Sequence, residues 1–402
     1  MKICHVWDAD YPWDVRVEKV STALTKAGHE VHLVARNLKR REPIQCLPEG
    51  TLHRLPPLSS RRLNALSSFP AFFNPRWTGQ IRSVTSEVQA DVILVRDLPL
   101  APAAVRVGSA LGVPVALDMA ENYPAMIRAV WESGKQRLLD WLVRNPRLVK
   151  AIENWTLPRL DHIFVVVEES YERIVRMGVD PDRVTVVSNT PPRSRLDQEP
   201  RVHNEDGPLR LFYLGLLEAP RGVDELIQAV ATVRRRNRQV ELDLVGDGRE
   251  RESFEATARA AGVLGSAVRF RGYMPYSEAL ALMRKTDVGV VPHYANDSWN
   301  TTIPNKLFDY MAAGLPVLTS NVKPTARVVT EVRAGMVFRD RDIADMAEKI
   351  EALADGETRC RLGRAGRRAV AERFYWEEDA TRLTASLEAL VSSRTDPSAV
   401  TP

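Results

Sequence analysis

From its first residues the chain sets short, unbroken apolar runs against longer stretches with apolar positions every three or four residues. Residues 3–6, 31–34, 92–95, 113–117, 163–167 and 184–187 are near-continuous aliphatic, largely β-branched runs. A strand inside a parallel sheet is covered on both faces, so it reads as a continuous run rather than an alternation. Helix-length segments lie between them, such as 16–27, where Gly28 is the stop and His29-Glu30 lead into the next run. Strand and helix in alternation predict a doubly wound parallel sheet.

The pattern lapses once. Residues 190–208 carry four prolines, several charges and no sustained apolar period, which reads as a linker over 193–208. The alternation then restarts, with runs at 209–214, 240–245, 268–270, 288–291 and 317–319 and helical segments at 223–236 and 251–261. This divides the chain into a first α/β domain at 1–192 and a second at 209–375. A last helix at 381–392, within a segment 376–402, is expected to pack back on the first domain, with a disordered tail from Ser393. Two such sheets in succession predict a cleft between two domains. Its chemistry is expected on the loops at the carboxyl ends of the strands.

Length and composition fit this plan. A chain of 402 residues exceeds one ordinary core and suits two. With 44% hydrophobic and 27% charged residues, it is neither disordered nor fibrous. No stretch approaches the roughly 20 uninterrupted apolar residues of a membrane span. The first apolar run is too short, and Asp8 and Asp10 come too early, for a secretory signal. Cys4, Cys46 and Cys360 are odd in number and lack a C-x-x-C pair, so a disulfide framework or zinc site is not expected and a reducing cytoplasm is. Arginine-rich stretches at 39–41, 61–62, 234–238 and 361–368 stand within a net charge of only +4. They read as solvated faces, and with no nucleic-acid-binding motif beside them nucleic acid is not an expected partner.

The richest segment is Thr301-Thr302-Ile303-Pro304-Asn305-Lys306-Leu307-Phe308-Asp309-Tyr310-Met311-Ala312-Ala313-Gly314-Leu315-Pro316-Val317. Pro304 suits a first helical turn, Gly314 a stop, and Pro316 blocks continuation. At ~100° per residue Leu307, Phe308 and Met311 share one face, and Asn305, Lys306 and Asp309 the other. The helix is thus expected to pack by one side and offer a cation and a carboxylate on the other. Free N–H groups and the helix dipole favour phosphate there, and Lys306 adds a full charge. Asp309, one turn deeper, can accept hydrogen bonds from the two hydroxyls of a ribose. A plain surface helix end with an incidental Lys–Asp pair satisfies the same pattern.

The stretch from Asn305 to Val317 resembles the donor-binding helix of retaining glycosyltransferases of family four, which have the GT-B fold. Other stretches are similar to the same family in the same order. They include Gly215 with Arg221-Gly222-Val223, Val245-Gly246-Asp247-Gly248, Val268-Arg269-Phe270-Arg271-Gly272-Tyr273 and Thr286-Asp287-Val288-Gly289. In the first half, Tyr11-Pro12-Trp13-Asp14-Val15-Arg16-Val17 and Gly28-His29-Glu30-Val31 resemble the start of one branch. The resemblance spans nearly the whole chain and implies a GT-B fold, two Rossmann-like domains facing across a cleft. It also implies sugar transfer from a nucleotide sugar with retention of configuration, without a cofactor or an obligatory metal.

Position by position, the family's phosphate-gripping cation falls on Arg221. Its second cation would follow Gly215, where Leu216 stands, so Lys306 is expected to replace it. The family's two glutamates, seven residues apart, fall on Thr301 and Asp309, so the usual carboxylate contact with the sugar is missing at Thr301. Thr302, Asn305, Gly272 and Tyr273 complete the implied donor-binding set. Leu117-Asp118-Met119-Ala120-Glu121-Asn122 resembles a loop reading Asp-x-His-Glu, with Ala120 in place of the histidine. Glu121, Asp118 and Arg16 become the implied catalytic candidates beside the acceptor.

Asp8-Ala9-Asp10 is a D-x-D string, but it follows the first strand and is not expected to hold a metal. A dehydrogenase is excluded because Gly246-Asp247-Gly248 runs into Arg249, Glu250 and Arg251 without the third glycine. A nucleotide-sugar epimerase on the same fold, or a non-catalytic glycan- or membrane-binding relative, stays open as an alternative. Expected partners are a nucleotide-sugar donor and a glycan or lipid-linked acceptor in polysaccharide assembly. Peripheral contact with anionic membrane is expected from residues 59–77, where Arg61, Arg62 and Arg76 accompany Leu63, Leu66, Phe69, Phe72, Phe73 and Trp77.

Overall fold

The structure, a computed structural model, describes residues 1–12, 14–58, 60, 72–132, 145–197 and 207–395. The chain forms two compact units, Met1–Ser188 with Glu378–Pro402, and Asn189–Glu377.

The first unit carries β1 (Lys2–Asp10), β2 (Glu30–Arg36), β3 (Ile44–Leu47), β4 (Gly50–Arg54), β5 (Val92–Arg96), β6 (Val115–Met119), β7 (His162–Val165) and β8 (Val184–Val186). They order as β3-β4-β2-β1-β5-β6-β7-β8, parallel throughout except for the antiparallel β3–β4 pair. β5, β6 and β7 are buried along their whole length, as their unbroken runs require. The β3–β4 hairpin has no such run, because β3 is largely exposed at the sheet edge, and the apolar pattern does not reveal it.

Helix Val15–Lys26 starts on Asp14, whose carboxylate accepts from the Arg16 and Val17 amides at 2.8 and 3.0 Å. The helix therefore begins one residue before the expected 16. Its register turns Val17, Val20 and Leu24 into the core.

The last helix runs over Trp376–Thr395, longer than the expected 381–392. Residues 393–395 continue it rather than starting a disordered tail, while 396–402 lie outside the described residues. Within the first unit it is tied by Arg394 to Asp161 at 2.5 Å and by Glu388 to His29 at 3.2 Å.

The second unit carries β9 (Leu209–Leu214), β10 (Val240–Val245), β11 (Val268–Gly272), β12 (Val288–Val291), β13 (Val317–Ser320) and β14 (Gly335–Phe338), in the all-parallel order β11-β10-β9-β12-β13-β14. Of the expected linker, 198–206 lie outside the described residues, and Arg193–Leu196 forms a short 3-10 turn. The core gathers Leu211, Tyr213, Leu226, Leu242, Val288 and Leu318. Apart from the β3–β4 hairpin at one edge, each sheet reverses its strand order once, beside β1 in the first unit and beside β9 in the second. The carboxyl ends of the strands flanking such a point are where open α/β sheets bind ligands.

Candidate donor and acceptor sites

At the switch point of the second unit β9 runs into Gly215 and β12 runs into Pro292 and His293. Gly215 has φ 151°, and a side chain there would begin 3.1 Å from Lys306 Nζ. The glycine thus clears the place where Lys306 ends. Lys306 comes from helix Asn305–Ala312, and its ammonium lies 4.1 Å from the centre of the Tyr213 ring. It is 6% exposed, and its Nζ has no hydrogen-bond partner among the described residues. Burial first, and then the charge of Arg221, push its pKa well below the usual lysine range.

Arg221 closes a short turn, Ala219–Arg221, and Gly222 follows at φ 64°, where a side chain would collide with the Pro292 carbonyl oxygen. Its guanidinium lies 5.1 Å from the centre of the Trp299 ring. The other side of that arrangement is His293, whose ring centre is 3.9 Å from that of Trp299. His293 is fully buried and neither ring nitrogen has a hydrogen-bond partner among the described residues. Burial, then Lys306 and Arg221, hold its pKa well below the ordinary histidine value.

The two-face expectation for helix Asn305–Ala312 needs correction. Lys306 and Asp309 are buried along with Leu307, Phe308 and Met311, and of the three polar residues only Asn305 is exposed. The helix is covered on more than one side because it packs against β12 and β13 and also against helix Gly356–Glu372. Asp309, 5% exposed, accepts a hydrogen bond from the Tyr276 hydroxyl at 2.7 Å. Burial and then Asp309 raise the Tyr276 phenol.

Thr301 ends a 3-10 turn, Trp299–Thr301, and donates to the carbonyls of Asp297 and Ser298 at 2.9 and 3.1 Å. Thr302 is buried. Gly272 ends β11 at φ 72°, and Tyr273 after it is 75% exposed.

The first unit gathers a second polar cluster at its own switch point. Asp118, at the end of β6, takes two hydrogen bonds from Arg16 Nε at 3.0 and 2.9 Å and one from Nη2 at 2.6 Å. Arg16 also donates to the carbonyls of Val187 and Ser188. Burial pushes the Asp118 carboxyl up, but Arg16, with Arg96 and His5, outweighs it and holds the pKa below the ordinary value. Asp118 is 0% exposed and forms with the likewise buried Arg16 an ion pair beneath the loop that carries Glu121.

Arg96 and Asp97 close β5 with a 2.6 Å ion pair, and Asp97 adopts φ 58°, a sparsely populated conformation for a non-glycine residue. Its Oδ1 accepts from the amides of Ala120 and Glu121 at 3.0 and 3.3 Å, which places the half-buried Glu121 at the rim of this cluster. Burial, only partly offset by Arg96, pushes the Asp97 pKa up to about 7.

Two other expectations meet the structure here. Asp10 accepts from the Leu38 amide at 2.8 Å and Asp8 lies 3.8 Å from Arg36, so the D-x-D string is occupied with local contacts. Trp77 is fully buried in the core of the first unit rather than facing a headgroup region, because helix Pro75–Val88 points it inward. Phe73 packs edge-on to Trp155 with Arg106 over its ring. Arg61, Arg62, Leu63, Leu66 and Phe69 lie outside the described residues.

The chain is also similar to known proteins in sequence and in fold. Residues 208–355 match the Glycosyl transferases group 1 family and residues 14–190 match the Glycosyl transferase 4-like domain. Glycogen synthase of Mycobacterium tuberculosis is 26% identical over 383 residues, spanning 91% of this chain and 88% of that protein. Phosphatidyl-myo-inositol mannosyltransferase of Mycobacterium leprae is 30% identical over 185 residues, 46% of this chain and 47% of that one.

Among solved structures, sucrose-phosphate synthase from Thermosynechococcus elongatus superposes with a TM-score of 0.75 at 18% identity, covering 98% of this chain and 99% of its own. HepE of Anabaena in complex with UDP-glucose gives 0.72 at 12% identity, covering 97% and 100%. Two parallel α/β sheets with these neighbours define the GT-B class of fold. Within that class, the chain belongs to the GT4-like glycosyltransferases.

Sequence reasoning missed His293, Tyr213, Trp299 and Tyr276 in the second unit and Arg96 and Asp97 in the first. For His293 and for Arg96-Asp97 a signal was present. Each stands just past an apolar run that ends at a switch point, where a polar residue faces ligand rather than core. Tyr213, inside its run, reads only as core.

Proposed function

We propose that this glycosyltransferase binds the diphosphate of a nucleotide sugar through Lys306 and Arg221 and transfers the sugar with retention of configuration. The acceptor is a glycan, a lipid-linked sugar or a small molecule, in cytoplasmic polysaccharide or glycoconjugate assembly. One observation carries the reading. A buried ammonium with no hydrogen-bond partner among the described residues, beside a glycine that makes room for it, is costly unless an anion joins it.

A donor diphosphate is that anion, and it gains negative charge as the sugar leaves. Lys306 and Arg221 then stabilise the departing group by preorganised charge, without a cofactor or a resident metal. Asp309 is assigned to the ribose hydroxyls, Tyr273 at the end of β11 to the base, and Thr301, Thr302, Asn305 and Gly272 to the surrounding donor contacts. The acceptor is assigned to Glu121 at the polar cluster of the first unit.

A thermal-shift panel of nucleoside diphosphates and nucleotide sugars tests the donor assignment, because a ligand of the folded state raises Tm. Transfer itself is read by nucleoside diphosphate release that depends on acceptor, with the anomeric configuration of the product taken by NMR. No stabilisation by any nucleotide, or release that ignores every acceptor, would overturn the proposal. Peripheral contact with anionic membrane through residues 59–77, apart from the buried Trp77, is a further part of the reading, tested by flotation with anionic vesicles at low and high salt.

A further inference from the structure

Three groups meet around one point of the second unit, and one of them has no part in the donor assignment so far. His293 lies at the end of β12, Lys306 on the helix after it, and Arg221 on the turn that follows β9. Both ring nitrogens of His293 and the Nζ of Lys306 are buried and have no hydrogen-bond partner among the described residues. A buried polar nitrogen is nearly always paired, and three unpaired ones within a single cluster call for a common partner. The two charges that act on the imidazole, Lys306 and Arg221, are both positive.

Among the described residues, the side chains nearest these groups do not relieve this. Tyr213 spends its hydroxyl on the Leu216 carbonyl at 2.7 Å, and burial keeps it un-ionised. Trp299 stacks on the ring and has no charge. Ser320, from β13, donates to the backbone carbonyl of His293 at 2.5 Å and leaves the ring alone.

We infer that His293 is a third ligand of the donor diphosphate and takes up a proton as the anion arrives. The inference rests on the donor reading above. In the free protein the imidazole stays neutral, because burial and two neighbouring cations both oppose its charge. A diphosphate between the three groups reverses the sign of the local field. A proton then moves from solvent to the imidazole, which donates both the new and the existing N–H toward phosphate oxygens or their surroundings. No covalent bond is made or broken in this step. Because binding takes up a proton, affinity must fall as pH rises through the pKa of the bound imidazole.

Titration calorimetry of the full chain near neutral pH, with UDP-glucose and GDP-mannose as probes, tests this directly. The phosphates of these sugar diphosphates do not titrate in that range, so any proton taken up belongs to the protein. Runs in buffers of small and large ionisation enthalpy give the number of protons bound. Wild type is expected to take up protons, and His293→Gln to take up fewer while binding more weakly. Equal uptake in both proteins, including none in either, overturns the role of His293 while leaving the donor reading intact. Failure of wild type to bind either probe overturns both. If His293→Gln does not fold, nitrogen-15 spectra of histidine-labelled wild type decide instead. A ring passing from neutral to charged on adding the bound probe supports the inference, and seven unchanged rings overturn it.

Discussion

Lys306 holds its ammonium 4.1 Å from the centre of the Tyr213 ring. The ring gives the charge a partial partner of low cost, since an aromatic face attracts a cation without supplying an anion. The ammonium is thereby kept in place and still available. Lys306→Met keeps the length of the side chain and removes the charge. It should weaken binding of the favoured nucleoside diphosphate roughly 10- to 100-fold, since a charged hydrogen bond contributes about 1.5–3 kcal/mol. Stability to urea should hold or rise, because an unpaired buried charge is lost. Arg221→Ala should weaken binding in the same direction. Unchanged calorimetric affinity in both variants would sink the diphosphate assignment.

Asp309 already accepts from Tyr276 at 2.7 Å, so its ribose role has a built-in control. Asp309→Asn should raise the donor KM and lose more for a ribose donor than for the 2′-deoxyribose analogue. Tyr276→Phe removes the same contact from the other side. If that variant reproduces the full effect of Asp309→Asn with no difference between the two donors, Asp309 serves only to hold Tyr276.

Much of this architecture is legible in the sequence because parallel strands are buried on both faces. β9, β10 and β12 begin and end where their apolar runs do. β3, β4 and β14 are not legible, since a short or half-exposed strand shows no run and is fixed only by its neighbour. The same limit applies to the site. Lys306 can be read as a cation near a helix start, but periodicity puts it on an exposed face. Its burial depends on Tyr213 and Gly215, about ninety residues earlier in the chain. Arg16 and Asp118 stand 102 residues apart, and no local pattern announces that they neutralise each other.

That ion pair makes the first unit sensitive to acid in a definite direction. The Asp118 carboxyl has a folded pKa below its unfolded value of about 3.9. Its contribution is therefore present above the unfolded pKa and is lost as pH falls through the folded one. Asp118→Asn should cost about 3–5 kcal/mol near neutral pH, because Arg16 is left buried without its counter-charge. The gap from wild type should narrow in acid. Asp97 works the other way. Its carboxyl is raised to about 7, so its ionisation opposes folding increasingly between the unfolded pKa and about pH 7. Asp97→Asn should therefore flatten the stability profile in that window. Urea midpoints against pH for the three proteins check both signs, and parallel profiles would refute them.

The last expectation concerns the floor beneath Lys306. Gly246 follows β10 at φ 134°, and a side chain there would begin 2.0 Å from the Gly215 carbonyl oxygen. Gly215 donates its amide to Val245 at 2.9 Å, and Gly246 donates to Gly272 at 2.9 Å. The ends of β9, β10 and β11 are thus locked together, backbone against backbone. A methyl group at 246 cannot be absorbed by a rotating side chain, so Gly215 must move, and the space around the Lys306 ammonium moves with it. Gly246→Ala should therefore destabilise the protein by about 1–3 kcal/mol through strain and overpacking. It should also weaken nucleotide binding, although residue 246 carries no charge. Gly28→Ala is the matched control. Gly28 has φ 86° but nothing within 4 Å of the added carbon, so only the backbone penalty of roughly 1 kcal/mol applies. Its nucleotide affinity should equal that of wild type. Denaturant midpoints and calorimetry on the two variants separate the effects. Wild-type affinity in Gly246→Ala would show that the strand ends support the fold without setting the position of Lys306.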